Sequence, residues 1–434
     1  MKFNKWTLGL AALGVVSLAS VVQAEEKTSP VMTALSQTTI SGYVDTSFVW
    51  RMGGNGNQFA GKNLGTGGPG APAPAFGGAP GPLVPGSGLM VGKQNGFNLN
   101  VVGLTLAKPL DEAEWAAGYQ VDLLMGPDSV GWNPSPGAFG SDLGIKQAYV
   151  QLRAPIGNGL TFKIGTFNEI LGYESFESYK NPNYTRSYGW TIEPTQQTGM
   201  LASYKINDIV EVSAGIANTT VAGINARPLR GGSTAAQPTS DWEKTYMGSI
   251  ALTAPESFGF LKGSQLYFGV INGMGQNFGA AWNSDTTWLY AGAYLNTPIE
   301  ALKVGAAYDY VLTGSQKPGN QSTYALAASG YVTYQAMEKL KLSVRGEYAQ
   351  GTDGTWYVTG KAAGLLESDP KNMLMASTFT VDYSLWANVI SRLEFRWDRD
   401  LTDQHQTAPG YRGGPFGNDD RNNLMVALNV IYKF

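Results

Sequence analysis

The sequence predicts an all-β fold, a transmembrane antiparallel β-barrel of about 16 strands, within a range of about 14 to 18. Three observations support this prediction. Charged residues make up only 15% of the 434 residues, against about 25% in an average soluble domain. Apolar and polar residues alternate with a period of two, and the connections between the alternating segments are short and long in turn.

The composition excludes several other classes of protein. The 30 basic and 33 acidic residues give a net charge of −3, and no basic domain indicates a nucleic-acid partner. The chain has no cysteine and a single histidine, so we expect no metal site and no cofactor. After the first two dozen residues there is no window of about 18 consecutive apolar residues, which excludes a helical membrane protein.

The first residues are typical of a secretory signal peptide. Lys2 and Lys5 precede an apolar segment at 8–22, and Ala24 is the small residue that signal peptidase requires. An N-terminal membrane anchor is the alternative, but the apolar segment is short for a span and Glu25 follows it closely. We therefore expect Sec-type export, cleavage near Ala24, and the following order: signal peptide 1–24, periplasmic tail 25–38, outer-membrane barrel 39–434.

The alternation is clearest at the C-terminus. From 424 to 434 every second residue is apolar, and this series ends in Tyr432 and Phe434, whereas the intervening positions include Asn429 and Lys433. Such a pattern indicates a strand with two unlike faces. Segments of this kind begin near residues 39, 96, 113, 143, 160, 197, 208, 244, 264, 286, 301, 322, 339, 372, 388 and 422.

The connections distinguish a membrane barrel from a soluble sandwich, which has no reason to separate short connections from long ones. An outer-membrane barrel has short periplasmic turns and long extracellular loops, and an even strand number leaves both termini in the periplasm. We expect this arrangement here. The long connections span roughly 51–95, 126–142, 171–196, 219–243, 273–285, 313–321, 351–371 and 400–421.

Aromatic residues near the strand ends and the scarcity of charge on the apolar faces support the same fold. Lys146 is the exception, because it shares a predicted lipid face with Val150 and Leu152. Tyr432 and Phe434 resemble the C-terminal signal that the barrel assembly machinery recognises. The aromatics predicted for the two girdles are Tyr432, Phe434, Trp115, Tyr204, Tyr334 and Tyr383 at one end and Trp50, Trp288, Tyr348 and Trp397 at the other.

About 16 strands enclose an aqueous channel, so the polar faces are expected to line it. The seven basic and eight acidic residues on these faces are nearly balanced, and no strong ion selectivity follows; the alternative is that many of them only pair across strands. The candidates are Arg153, Lys163, Lys303, Lys341, Arg345, Arg392 and Arg396, with Asp45, Asp122, Glu211, Asp309, Glu347, Asp382, Glu394 and Asp398.

The segment 165–199 carries a more specific pattern. It contains Gly165 and Phe167, a Gly-x-Glu at 172–174, an Asn-x-Thr-Arg at 183–186, and a Thr-Gly at 198–199 before the next strand. This pattern resembles the OmpL-like family of β-barrel porins. The resemblance implies a Gram-negative outer-membrane porin, although the glycine- and proline-rich first connection departs from the family pattern.

By position this segment contains the third long connection, which folds into the lumen and narrows the channel in general porins. By analogy we expect the same here. An ordinary surface loop, with its aromatic residues packed on one another, is the alternative. The constriction candidates are Glu169, Glu174, Glu177, Lys180 and Arg186.

These predictions favour a porin for passive diffusion of ions and small hydrophilic solutes. The expected partners are outer-membrane lipid, the barrel assembly machinery, the solutes and other copies of the chain. The alternative is a surface binding or adhesion protein that the barrel anchors. An outer-membrane hydrolase is a third hypothesis, but His405 lies in a polar loop, so we expect no catalytic residue and no enzyme.

Overall fold

The computed structural model describes residues 37–52, 95–129, 143–220, 224, 228–230, 237–238, 242–274, 285–317, 321–352, 371–401 and 422–434. The residues from Thr39 to Phe434 form one compact unit. The predicted signal peptide, most of the predicted tail, the glycine-rich part of the first connection and His405 lie outside the described residues. None of the helices in the described ranges is long and apolar enough to span a bilayer.

Sixteen antiparallel strands form one closed barrel, which confirms the predicted fold. Two short strands in the connection 218–244 pair with each other, β8 (Leu229–Arg230) with β9 (Gln237–Pro238). The barrel strands are β1 (Thr39–Met52), β2 (Gly96–Lys108), β3 (Ala117–Met125), β4 (Leu143–Ala154), β5 (Leu160–Asn168), β6 (Gln196–Lys205), β7 (Val210–Ala217), β10 (Thr245–Thr253), β11 (Gln265–Met274), β12 (Asp285–Asn296), β13 (Leu302–Lys317), β14 (Gln321–Met337), β15 (Leu340–Thr352), β16 (Lys371–Tyr383), β17 (Val389–Asp400) and β18 (Asn422–Lys433).

The barrel closes where the first strand meets the last. β1 pairs with β18 in a register that joins Tyr43 to Lys433. The terminal Phe434 continues the pairing, because its N–H donates to the Gly42 carbonyl at 3.0 Å and its carbonyl accepts from the Gly42 N–H at 2.8 Å. Since lipid offers no partner to backbone N–H and C=O groups, closure leaves no strand edge unpaired within a bilayer.

Side chains alternate between an apolar outer face and a largely polar inner face. In β17, Leu393 and Phe395 are exposed on the outside, whereas Arg392, Glu394 and Arg396 are buried inside. The buried part of the molecule therefore lies within the barrel, where the inner faces of the strands contact the third long connection.

One predicted girdle residue faces inward. Trp50 and Tyr348 are exposed on the outer face, but Trp288 is only 6% exposed. Its indole N–H donates to the carbonyl of Ile192 in the third long connection at 2.6 Å. The prediction for Trp288 is wrong because the alternation along β12 places it on the inner face together with the buried Tyr290.

Three strand boundaries also differ from the prediction. β13 ends at Lys317 and β14 begins at Gln321, so the two strands are joined by three residues and not by a long loop. Backbone hydrogen bonds between strands do not require an apolar face, so the polar ends of these two strands can pair beyond the apolar part of the outer surface. The strand expected from near 113 begins at Ala117, which leaves Trp115 in the turn.

A β-bulge accounts for Lys146. The register of β3 and β4 pairs Asp122 with Gln147 but Leu123 with Ile145, so Lys146 is the extra residue of β4. A bulge re-aims a side chain, and this one directs Lys146 into the barrel, where it is 1% exposed. Its assignment to the lipid face is wrong because a strict period of two cannot anticipate an inserted residue.

Candidate functional site

The third long connection, residues 169–195, is called loop 3. It joins β5 to β6, which are neighbours on one side of the barrel. The Asn183 side-chain amide nevertheless donates to Thr380 of β16 at 2.7 Å, and the Tyr188 N–H donates to Glu347 of β15 at 2.6 Å. Loop 3 therefore crosses the lumen and contacts the opposite wall.

The inner faces of β15, β16 and β17 form this wall, which we call the anchoring wall. Glu394 accepts the N–H of Tyr184 at 2.6 Å and the N–H of Thr185 at 2.9 Å, one on each carboxylate oxygen. Buried backbone N–H groups require acceptors, and a carboxylate is a stronger acceptor than a neutral group. The acidic residues of the wall thus satisfy the backbone of a loop that would otherwise need water.

Arg345 joins the wall to loop 3 by charge. Its side chain donates to Glu347 beside it on β15 and to Glu174 of loop 3, both at 2.7 Å, and to the carbonyl of Thr185 at 2.6 Å. All three ionised side chains have no exposed side-chain area. A buried ion pair of this kind adds little net stability compared with an apolar replacement, but the loss of one member leaves an uncompensated buried charge.

Two more arginines repeat this arrangement on β17. Arg392 donates to Asp382 at 2.6 Å and to the carbonyl of Asn181 in loop 3 at 3.1 Å. Arg396 donates to Asp398 at 2.8 Å. Each planar guanidinium has five donors in a fixed fork, so it can bind a wall carboxylate and loop carbonyls together.

Loop 3 is also ordered by its own contacts. Its helix α1 (Tyr188–Ile192) begins after Ser187, whose hydroxyl accepts the Trp190 N–H at 3.1 Å. Arg186 has none of its surface exposed and donates to the Tyr184 carbonyl at 2.8 Å. The Ser187 cap satisfies an N–H group that a helix start leaves without an intrahelical partner.

The start of loop 3 carries charges that interact with one another. The Lys146 ammonium lies 2.5 Å from the Glu177 carboxylate, and that of Lys180 lies 3.5 Å from it. Burial opposes ionisation of Glu177, but the two ammonium groups outweigh it and hold its pKa well below the ordinary range.

Two other carboxyl groups of loop 3 favour the neutral form. Burial raises the pKa of Glu169 to about 8. Burial, followed by the neighbouring carboxyl of Asp309, raises the pKa of Glu193. Gly172 has a φ of +107°, and a Cβ there would overlap the Glu193 carboxylate. A residue with a side chain would therefore be strained at this position and would displace Glu193.

The chain matches a protein-family model along the whole barrel. The model is described as "Putative beta-barrel porin-2, OmpL-like" and covers residues 37–434. The chain belongs to this family. No curated protein shows significant sequence similarity to this OmpL-like porin.

Solved structures share the fold of this porin. The outer membrane channel DcaP of Acinetobacter baumannii has 13% sequence identity and a TM-score of 0.54, with 92% of this chain and 97% of that chain covered. An anion-selective porin from Comamonas acidovorans has 11% identity and a TM-score of 0.54, with 92% and 99% covered. The trimer form of OmpT of Vibrio cholerae has 12% identity and a TM-score of 0.51, with the same coverage. At these identities the likeness is one of fold.

The structure brings the predicted constriction residues of this porin together in loop 3. Glu174, Glu177 and Arg186 are buried, Glu169 is partly exposed, and Lys180 is exposed. Among the described residues, no group of three or more His, Cys, Asp or Glu side chains could hold a metal ion.

The pore-lining candidates all lie on inner strand faces, and most of them are buried while two are partly exposed. Asp309 of β13 and six residues of the anchoring wall are nearly inaccessible, because loop 3 or neighbouring side chains cover them. Asp122 on β3 is buried among hydroxyl and amide donors, whereas Arg153 on β4 and Lys163 on β5 are partly exposed. The six wall residues are Arg345, Glu347, Arg392, Glu394, Arg396 and Asp398.

Sequence reasoning missed several residues that fix loop 3. Lys146 and Trp288 were assigned to the outer face, and Glu193 was not singled out. Tyr184 and Tyr188 are fully buried anchors, and the Tyr188 hydroxyl donates to Asp398 at 2.9 Å. The high density of aromatic residues in this connection was the only available signal, and it does not distinguish self-packing from packing against a distant wall.

Proposed function

We propose that this protein is an outer-membrane porin whose barrel encloses a water-filled channel for passive diffusion of ions and small hydrophilic solutes. Membership of the OmpL-like porin family supports this function. The closed barrel of sixteen strands supports it as well, because barrels of this size enclose an aqueous lumen. The solved structures that share the fold include an outer membrane channel and a porin.

The observation that carries the proposal is the path of loop 3. A barrel that served only as an anchor would have no need of a segment bonded across its interior. Loop 3 instead crosses to the anchoring wall and is held there by Arg345, Arg392 and Glu394. It narrows the channel on that side and leaves the inner faces of the other strands to line the path of the solute.

Reconstitution of the purified, folded protein in planar lipid bilayers tests this function. We expect discrete conductance steps that scale with salt concentration. Barrel insertion can be verified independently by heat-modifiable mobility in gels and by protease protection in vesicles. Protein that inserts but conducts no ions would overturn the channel function and would favour an anchor for surface loops.

Several finer features belong to the same proposal. Export uses a signal peptide that is cleaved near Ala24, and N-terminal sequencing of the mature protein should read from Glu25. The short turns face the periplasm and the long connections face the outside. Tyr432 and Phe434 present the assembly signal, and copies of the chain associate in the membrane, as the trimer form of OmpT does. The site has no catalytic role.

A further inference from the structure

Basic side chains surround the lumen near its short-turn end. Six of them lie on the inner faces of six different strands, each within a few residues of the strand end that meets a short turn or the C-terminus. We call this set the basic ring. Its members are Arg153 on β4, Lys163 on β5, Lys205 on β6, Lys303 on β13, Lys341 on β15 and Lys433 on β18.

Contacts with other lumen groups show that the side chains of three members point inward. The Lys163 ammonium lies 5.1 Å from the ring centre of Tyr149, a buried inner-face residue of β4. The Lys433 ammonium lies 5.7 Å from the ring centre of Tyr179, which belongs to loop 3. The Lys303 ammonium donates to the Asn296 amide oxygen at 2.8 Å.

The basic ring remains accessible to water. Its six members are partly exposed or exposed. Two members form ion pairs: Lys205 lies 2.9 Å from Asp208 and Lys341 lies 2.7 Å from Asp382, and their side chains are 36% and 31% exposed. Within the described part of the chain, no carboxylate lies within ion-pair distance of Arg153, Lys163, Lys303 or Lys433.

The acidic residues on the inner strand faces are, in contrast, mostly buried. Of the eight that the sequence places there, seven are at most 6% exposed, and Glu211 is the exposed one. Several of the buried carboxylates are neutralised by arginines or accept hydrogen bonds from amide side chains. Glu347 and Asp382 accept from arginines, and Asp45 accepts from the side-chain amides of Asn100 and Asn429. Basic and acidic residues are nearly equal in number on the inner faces, but the charges that are accessible to water in the lumen are mostly basic.

We propose that the basic ring makes this channel select small anions over cations. This inference rests on the proposed function. Fixed charges of one sign along a narrow lumen raise the local concentration of counter-ions, and rings of charged side chains set ion preference in pores. At physiological ionic strength the Debye length is about 8 Å, so such charges act on ions that pass close to them in the lumen.

Acidic residues in the short turns do not cancel this field. The acidic residues in these turns are exposed to bulk solvent, and Asp208 and Glu256 also pair with Lys205 and Lys262. They are Asp111, Glu112, Glu114, Asp208, Glu256, Glu300 and Glu338. Bulk water and salt screen charges in such positions more strongly than charges on the wall of a lumen. The ions that enter the lumen then pass the basic ring.

The test is the reversal potential of the wild-type protein in planar bilayers that separate unequal KCl concentrations. We expect the sign that indicates a preference for Cl⁻ over K⁺, and we expect this preference to weaken as both salt concentrations are raised. A channel that conducts but prefers K⁺, or whose preference does not depend on salt, would overturn the proposal. A folded protein without conductance would instead contradict the proposed function itself.

Matched variants assign the preference to the basic ring. The double variant Lys163→Gln/Lys303→Gln should lower the Cl⁻/K⁺ permeability ratio about threefold or more, and Lys163→Glu/Lys303→Glu should lower it further. The control Lys262→Gln/Lys339→Gln removes the same charge from exposed turns and should leave the ratio unchanged. Equal effects of the two glutamine pairs would contradict the assignment. Heat-modifiable mobility verifies that each variant is folded.

Discussion

The anchoring wall and the basic ring use the same types of charged residue in opposite ways. On the wall, Arg345 and Glu347 have no exposed side-chain area, and loop 3 covers them. In the ring, Lys163 and Lys303 face the lumen and remain partly exposed. Charge on the wall therefore holds a structure in place, whereas charge in the ring is available to a passing ion. The burial of a lumen charge, and not its identity, therefore determines whether it acts on solutes.

The largest expected effect comes from breaking the wall at its centre. Arg345→Met would leave Glu174 buried without its guanidinium and Glu347 with only that of Arg396, at 3.2 Å, which costs about 3–5 kcal/mol. We expect loop 3 to detach, so that single-channel conductance rises and trypsin cleaves after Lys180. Lys163→Met, which removes a ring charge, should change stability by less than about 0.5 kcal/mol. Similar losses of stability in both variants would contradict the distinction between wall and ring.

A smaller effect is expected from Glu394→Gln. The N–H groups of Tyr184 and Thr185 bind different oxygens of Glu394, and the amide replaces one of these oxygens with an NH2 donor, so one N–H group loses its acceptor in this geometry. One buried N–H is then left without an acceptor, at a cost of about 1–3 kcal/mol. Thermal unfolding followed by gel mobility measures this loss. Glu211→Gln is the control, because Glu211 is exposed; if both variants melt alike, Glu394 does not hold loop 3.

The fold could be predicted from the sequence because lipid imposes a repeating constraint. Alternation in β17 and β18 identified the outer faces, since any charge there would meet lipid. The same pattern assigned Lys146 and Trp288 wrongly. Lys146 is the extra residue of a bulge, which breaks the period of two. Trp288 lies on the inner face of β12, and an aromatic residue near a strand end does not by itself show which face it occupies. The route of loop 3 was inferred only by analogy. Its anchors connect residues as distant in sequence as Tyr184 and Glu394, and no local pattern records such contacts.

The pH dependence of loop 3 should be weaker than the effect of either wall substitution, because Glu169 is partly exposed. Burial raises the pKa of Glu169 from 4.5 to about 8, so folded loop 3 binds a proton more tightly than the released loop. The contribution of Glu169 to the stability of loop 3 is therefore greatest below about pH 4.5 and falls as pH rises toward about 8. Trypsin cleavage of loop 3 should increase across this range. Glu169→Gln should flatten the profile, and a profile unchanged by this substitution would assign it to another group.

The smallest effect concerns a single hydrogen bond at the far end of loop 3. Trp288→Phe keeps an aromatic ring against the loop but removes the N–H that donates to Ile192, at a cost of about 1 kcal/mol. Trp50→Phe is the matched control, because Trp50 is exposed on the outer face. Brominated lipid quenches tryptophans that contact the bilayer. We therefore expect Trp50→Phe to reduce the quenchable fluorescence and Trp288→Phe to remove only unquenched fluorescence. The reverse result would place Trp288 in the lipid girdle and would detach the end of loop 3 from the inner face of β12.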